Sequence, residues 1–263
     1  MEVSVIFLND LLQSFSPDVR ATIYSVSNWL FWGMFCSIFL VYIIRRKKLS
    51  IVRSIFVFLI PYIADYAVGF YAGGVTSLAK NFLSFEIPGF YPVHFILRML
   101  ITVLAVALVA KCDFADIADK FILAFFVSRP FHCIACLAYG CCHGAEVEWG
   151  IWSGREETTV LPLRAFELIL CLGIFVLFHL AYLKGKFKFK GQLCAIGTMA
   201  FGVIVLIFDI LCTDPAKSLG FISSVGLFSI FNILVGFVMY FYFSQGESER
   251  ARIKAIKEKG KRA

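Results

Sequence analysis

Seven ionisable side chains lie inside long apolar runs of this 263-residue sequence. At such positions a charge costs several kcal/mol unless it is paired or hydrated, and it often marks a functional site. The seven residues are Asp65, His94, Arg98, Arg129, Arg164, Glu167 and Asp209. Arginines offer planar, bidentate hydrogen bonds to phosphate groups, and neighbouring carboxylates can hold those arginines in place. The set therefore indicates a site for an anionic group within a membrane.

A second chemically capable group is the cysteine- and histidine-rich stretch over residues 132–144. Its thiols and imidazoles could ligate a soft metal or exchange disulfides. The spacing lacks the two separated ligand pairs of a structural zinc site, so the sequence predicts no metal. Close packing of small residues, with turns at Gly140 and Gly144, is the favoured interpretation. A metal or redox site is the alternative.

The elements that position these residues are membrane-spanning helices. Hydrophobic residues make up 60% of the chain, charged residues only 16%, and the mean hydropathy is +0.84. A helix needs about 20 apolar residues to cross roughly 30 Å of hydrocarbon. The apolar runs are that long and do not alternate with polar residues, which favours helices over a β-barrel.

The sequence predicts an all-α membrane protein with seven transmembrane helices. Residues 1–245 form a single transmembrane domain, and residues 246–263 form a basic cytoplasmic tail. The predicted spans are about 22–44, 51–72, 91–110, 118–141, 161–183, 191–212 and 218–243.

Orientation follows from the lysines and arginines that flank these spans. Eighteen of the 25 lie on one side and four on the other. The positive side is cytoplasmic, so the N-terminus is predicted outside and the C-terminus in the cytoplasm. The net charge of +7 reflects this topology, and no nucleic-acid partner is predicted.

In this orientation, six of the seven charged residues lie in the outer half of the membrane, on four helices, and Arg129 lies nearer the middle. The convergence favours a polar cavity that is open to the outer leaflet and binds an anionic phospholipid. Ion pairs between helices are the simpler alternative. The dipeptide Arg129-Pro130 predicts a broken fourth span, because proline removes a helix hydrogen bond.

The chain after the fourth span carries a resemblance to a known family. It reads Gly-Cys-Cys-His-Gly at 140–144, Trp-Gly at 149–150 and Leu-Pro-Leu-Arg-Ala-Phe-Glu at 161–167. This order resembles the phosphatidylglycerol–prolipoprotein diacylglyceryl transferase family, especially divergent members with a Gly-Cys-Cys-Tyr-Gly variant of the signature. The likeness extends from about Tyr91 to Asp214. The family's seven spans and outside N-terminus agree with the predicted topology.

The resemblance implies transfer of diacylglyceryl from phosphatidylglycerol to the cysteine thiol of a lipoprotein precursor, in a bacterial cytoplasmic (inner) membrane and without a cofactor. The implied partners are phosphatidylglycerol or another anionic phospholipid, the lipoprotein precursor peptide and the membrane. The residues assigned to catalysis are His94, Arg129, Glu167 and Asp209. The residues assigned to substrate binding are Arg98, Arg164, Asp65, His132, His143, Gly140 and Gly144.

Several positions depart from the family pattern. Cys133 stands where the family has its signature arginine, and Arg129 lies one helical turn earlier. Cys136 and Cys141 occupy an asparagine and a glutamate position, and Leu161 replaces a histidine. Two other functions therefore stay open: a lipid-binding homologue with altered or lost catalysis, and a small membrane transporter. Inverted repeats would favour transport, and the sequence contains no convincing repeat.

Overall fold

The fold is described from a computed structural model. It covers residues 14–45, 47–83, 91–140, 143–153, 157–212 and 223–260. Within these ranges the description of side chains leaves out 69–83, 91–94, 224 and 247–260.

Seven helices and one short hairpin form the described chain. The helices are α1 (Pro17–Ile44), α2 (Ile51–Leu83), α3 (Tyr91–Ala110), α4 (Phe114–Tyr139), α5 (Leu163–Leu183), α6 (Gln192–Leu211) and α7 (Ser224–Gly260). All but α3 contain a stretch long and apolar enough to cross a membrane, and α3 is apolar over Phe95–Ala110. The prediction of a helical membrane protein is confirmed in that form, whereas the number of spans and the topology stay predictions.

Helix starts follow local capping chemistry. Ser16 precedes α1 and accepts a hydrogen bond from the backbone N–H of Val19, and Pro17 takes the first turn, where its missing N–H matters least. Asp113 precedes α4 and accepts from the N–H of Ala115 at 2.9 Å. Both caps fix where an apolar helix begins.

Two helices extend more than ten residues beyond their predicted spans. Helix α2 continues to Leu83, past the predicted end near residue 72. Helix α7 continues to Gly260, so the segment predicted as a separate tail over 246–263 is, as far as residue 260, a continuation of the last helix.

The prediction that Arg129-Pro130 breaks the fourth span is wrong. Helix α4 is continuous from Phe114 to Tyr139 with Pro130 inside it. The hydroxyl of Ser128 donates to the carbonyl oxygens of Ala124 at 2.8 Å and Phe125 at 3.1 Å in the same turn. Pro130 leaves the carbonyl of Phe126 without its helix donor, and membrane helices tolerate such a proline where neighbouring helices pack closely, as they do around α4.

The connection from α4 to α5, predicted only as an outer loop, contains the hairpin. Strand β1 (Glu146–Ser153) pairs antiparallel with β2 (Thr158–Val160), with a register irregularity between Glu146 and Ile151. Gly150 permits the close approach, since an added Cβ would lie 2.3 Å from the carbonyl oxygen of Val160. We call the end of the bundle that carries this hairpin the hairpin end.

The core is aromatic, and two tight helix contacts surround it. The rings of Phe95, Phe125 and Phe201 meet with centroids 4.7–4.9 Å apart, joining α3, α4 and α6. Helix α1 packs along α4, and α6 packs along α7. At Gly202 an added Cβ would lie 2.8 Å from the backbone oxygen of Ser229, which is the close backbone approach typical of small residues in membrane helices.

Candidate functional site

A buried carboxylate with two arginines lies towards the hairpin end of the bundle. Arg129 Nε lies 2.8 Å from Oε1 of Glu167, and Arg164 Nη1 contacts Oε2 of the same carboxylate. The Glu167 side chain is 0% exposed, whereas the two arginines are 14% and 19% exposed. We call these three residues the Arg-Glu-Arg cluster.

The local sequence explains how the cluster forms. Helix α5 begins at Leu163, directly after Pro162, so Arg164 and Glu167 occupy its first turns three residues apart and share a face. Arg129 comes from α4, which packs against α5. Its guanidinium carbon also lies 5.5 Å from the ring centroid of Phe201, a cation–π distance.

A second ion pair joins α2 and α3. Arg98 Nε lies 2.6 Å from Oδ1 of Asp65, with the two side chains 28% and 22% exposed. Thus each of the three predicted arginines contacts a carboxylate in the structure. Arg98 pairs with a different acid from Arg129 and Arg164, so the structure holds two pairing sites where one shared cavity was predicted.

Asp209 lies in a different environment from the one assigned to it. Its two carboxylate oxygens accept hydrogen bonds from the backbone N–H and the hydroxyl of Ser223, the residue before α7. Among the described residues it contacts none of the three arginines, so its assignment as an arginine partner is not supported by these contacts. His94 lies in the first turn of α3, and its side chain falls outside the description.

The residues assigned from the cysteine-histidine stretch have separate positions. Gly140 ends α4 in the left-handed conformation with φ 77°, as expected for a glycine turn, and its carbonyl accepts from Ser153. His143 Nδ1 lies 3.1 Å from the carbonyl oxygen of Gly144, and Gly144 N–H donates to Leu161. These contacts fasten the hairpin to the end of α4.

His132 bridges two helices. Its Nδ1 lies 3.0 Å from Oδ1 of Asn28 on α1, and its Nε2 lies 3.7 Å from Sγ of Cys136, one turn further along α4. The edge of Phe31 packs against the imidazole with centroids 6.1 Å apart. The histidine ring is therefore fixed from two sides.

A small cavity opens beside these residues. It is lined by Cys136, Gly140, His143 and Arg164, together with side chains of the hairpin. Its volume is about 20 Å³, which is room for about one water molecule and not for a lipid head group. This cavity is much smaller than the lipid-binding cavity that the sequence predicted. Of the three arginines assigned to that cavity, Arg164 lines the small cavity, and Arg98 and Arg129 do not.

Metal ligation has no candidate cluster in the described part of the chain. No three His, Cys, Asp or Glu side chains there are placed to hold an ion. Cys141 and Cys142 lie outside the described residues, so the predicted absence of a metal stays a prediction.

Three further polar residues were not assigned to the site from the sequence, and two of them, Asp119 and Lys120, are buried. Asp119 is 6% exposed and accepts backbone N–H bonds from Gly191 and Cys194, both at 2.8 Å. Lys120 is 1% exposed and pairs with Asp116. His179 Nδ1 lies 2.6 Å from the hydroxyl oxygen of Tyr42. Each lies inside a predicted span, and a polar side chain within an apolar span was the signal that could have identified all three.

The chain is similar to a curated bacterial transferase. The phosphatidylglycerol–prolipoprotein diacylglyceryl transferase 2 of Clostridium perfringens (strain 13 / Type A) is 26% identical over 139 residues, which cover 49% of this chain and 53% of the relative. The chain thus matches about half the length of this relative. No family model matches the chain. The match supports a distant relationship to a membrane transferase.

Proposed function

We propose that the protein transfers diacylglyceryl from phosphatidylglycerol, or a related glycerophospholipid, to the thiol of a lipoprotein precursor. The observation that carries the proposal is the Arg-Glu-Arg cluster, where two helices bring two guanidinium groups onto one buried carboxylate. The sequence resemblance and the distant transferase relative support the same class of reaction.

The cluster suits a phosphate ligand. The two arginines and Glu167 together carry a formal charge of +1, which favours an anion in a medium of low dielectric constant. A guanidinium has five N–H donors. Among the described residues, the only hydrogen bond of Arg129 runs from Nε to Glu167, so its two terminal amino groups keep donors for a phosphate oxygen. Glu167 would hold both guanidinium planes in position before the lipid arrives.

In the proposed reaction the acceptor thiol loses its proton to a base, for which the resemblance implies His94. The thiolate is the nucleophile and attacks the glyceryl carbon that carries the phosphate. A carbon–sulfur bond forms, the carbon–oxygen bond breaks, and glycerol phosphate leaves with the negative charge. Arg129 and Arg164 would stabilise the charge that develops on this leaving phosphate.

The test is a transfer assay with the purified full-length protein in phosphatidylglycerol vesicles. A peptide with a lipoprotein-type cysteine should gain the mass of diacylglyceryl, and glycerol phosphate should appear in equal amount. Arg129→Gln should reduce the rate by at least about tenfold, since it removes a charge-assisted contact to phosphate. Arg53→Gln is the matched control, because Arg53 is exposed at the start of α2, away from the cluster.

A lipid-binding homologue without this catalysis is the second candidate. The observation that favours it is Cys133, which occupies the position of the signature arginine and is fully buried beside the Arg-Glu-Arg cluster. In that case phosphatidylglycerol would bind and Arg129→Gln would weaken the binding, but the peptide would stay unmodified. Binding without any peptide modification would overturn the transferase proposal.

A further inference from the structure

We propose that Cys136 is a nucleophile activated by His132, and that it takes an acyl chain from a membrane lipid ester as a thioester. The inference stands on the contacts among Asn28, His132 and Cys136 and on the cavity beside them. It does not depend on diacylglyceryl transfer, which uses a thiol of another molecule.

The three residues form a nucleophile, a base and an orienting group. An amide oxygen can only accept hydrogen bonds, so Oδ1 of Asn28 at 3.0 Å requires the proton of His132 to be on Nδ1. The lone pair of the neutral ring is then on Nε2, which lies 3.7 Å from Sγ of Cys136. This order of contacts is the general geometry of an activated thiol.

The fold holds this geometry firmly. His132 and Cys136 are four residues apart on α4 and so share a helix face. Helix α1 supplies both Asn28 and Phe31, which contact the imidazole from two directions. The two ring nitrogens thus face different polar partners, an amide oxygen and a thiol.

Access distinguishes Cys136 from the other buried cysteines nearby. Cys133 and Cys171 are 0% exposed, whereas Cys136 is 4% exposed and lines the small cavity. Arg164 lines the same cavity, so a cationic side chain borders the space beside this thiol. Helix α4 is long and apolar enough to cross a membrane, so the ester in this proposal is that of a lipid, of which only the carbonyl group would have to enter the cavity of about 20 Å³.

The proposed step balances without an oxidant or reductant. His132 Nε2 takes the proton of the Cys136 thiol, and the thiolate attacks the carbonyl carbon of the acyl ester. The carbon–oxygen ester bond breaks, and the lysolipid alkoxide leaves with the proton from His132. The acyl chain remains on Sγ as a thioester until water or an acceptor nucleophile removes it, when the thiol is restored.

The experiment places the full-length protein in vesicles of a phospholipid whose acyl chains end in an alkyne. We expect a label on Cys136 that neutral hydroxylamine removes, as it does from thioesters. Cys136→Ser should lose this label. His132→Ala should label at least about tenfold more slowly, because general-base catalysis contributes on the order of 100-fold or more. Asn28→Asp, which keeps an acceptor oxygen, should label faster than Asn28→Ala.

Cys171→Ala is the matched control, since it removes a buried thiol outside this set of contacts, and it should keep the label. To separate misfolding from chemistry, only variants that elute as a single species are compared, and the alkylation rate of Cys136 by N-ethylmaleimide is measured in those that keep this cysteine. A wild-type protein without label, or an unchanged label in His132→Ala, would overturn the inference. The diacylglyceryl proposal is tested separately in the transfer assay. There the lipid is joined to the acceptor peptide by a thioether, which hydroxylamine does not cleave.

Discussion

Among the described residues, the carboxylates of Glu167 and Asp119 are both buried, and their hydrogen-bond partners are of different kinds. Glu167 lies towards the hairpin end and accepts from two arginine side chains. Asp119 lies near the other end of α4 and accepts from the backbone N–H groups of Gly191 and Cys194, at the start of α6. Both side chains are more than nine-tenths buried.

The difference separates a structural acid from a candidate functional one. The first backbone N–H groups of a helix have no hydrogen-bond partner within that helix. Asp119 accepts two such bonds at the start of α6 and so acts as an N-cap supplied by another helix. Guanidinium groups carry several donors and a full charge, so the partners of Glu167 can bind Glu167 and a ligand together. Burial and charge alone would not distinguish the two acids.

The largest expected effect is that of Glu167→Gln. It would leave two mostly buried guanidinium groups without their carboxylate, and breaking a buried ion pair costs about 3–5 kcal/mol. We expect a large fall in the thermal unfolding temperature of the purified protein in detergent, together with loss of transfer. Glu148→Gln is the control, because Glu148 is exposed on the hairpin. Equal losses in Glu167→Gln and Asp119→Asn would remove the distinction drawn above.

Arg129→Gln should weaken phosphatidylglycerol binding by about 10- to 100-fold, the value of one charge-assisted contact of roughly 1.5–3 kcal/mol. Arg129→Lys should rescue the binding only in part, because lysine lacks the planar fork. Binding is measured by titration with labelled lipid in detergent. If the folded fraction of Arg129→Gln bound lipid normally, Arg129 would be a structural partner of Glu167 and nothing more.

Asp119→Asn should destabilise the protein by about 1–3 kcal/mol and leave lipid affinity unchanged. The amide keeps one acceptor oxygen but turns the other into an N–H donor, so one buried backbone N–H loses its partner. The measurement pairs chemical unfolding with the lipid titration, and exposed Asp18→Asn serves as the reference. A change in lipid affinity at constant stability would assign Asp119 a role in the site.

The smallest effect is expected for Lys120→Met. This side chain is buried and pairs with Asp116 four residues earlier, on a half-buried turn at the start of α4. Methionine keeps most of the packing, and the Asp116 carboxylate that loses its partner is 23% exposed and can be hydrated, so we expect a change below about 1 kcal/mol. A loss comparable to that of Asp119→Asn would mean that Lys120 supports the cap at α6.

The sequence predicted most helices well because their cause is local. Apolar runs of helix length act within a few residues. The caps at Ser16 and Asp113, which the sequence analysis did not identify, start α1 and α4 four to five residues before the predicted span starts near 22 and 118. The pairing of Arg164 with Glu167 was also predictable, since residues three apart on a helix always share a face. The prediction failed at Pro130, where α4 continues through the proline while packed against its neighbouring helices.

By itself, the sequence determined the helical membrane character and the presence of charged residues within apolar helices. It also determined which charges share a face, because helix periodicity is independent of the rest of the fold. Only the tertiary structure decided which helices meet. Helix packing places Arg129 in an ion pair with Glu167 and the carboxylate of Asp209 within hydrogen-bonding distance of Ser223. It also brings the side chains of Asn28 and His132 together, although they are 104 positions apart in the chain. Such contacts depend on how side chains of distant segments fill a shared space, and no local pattern in the sequence encodes them.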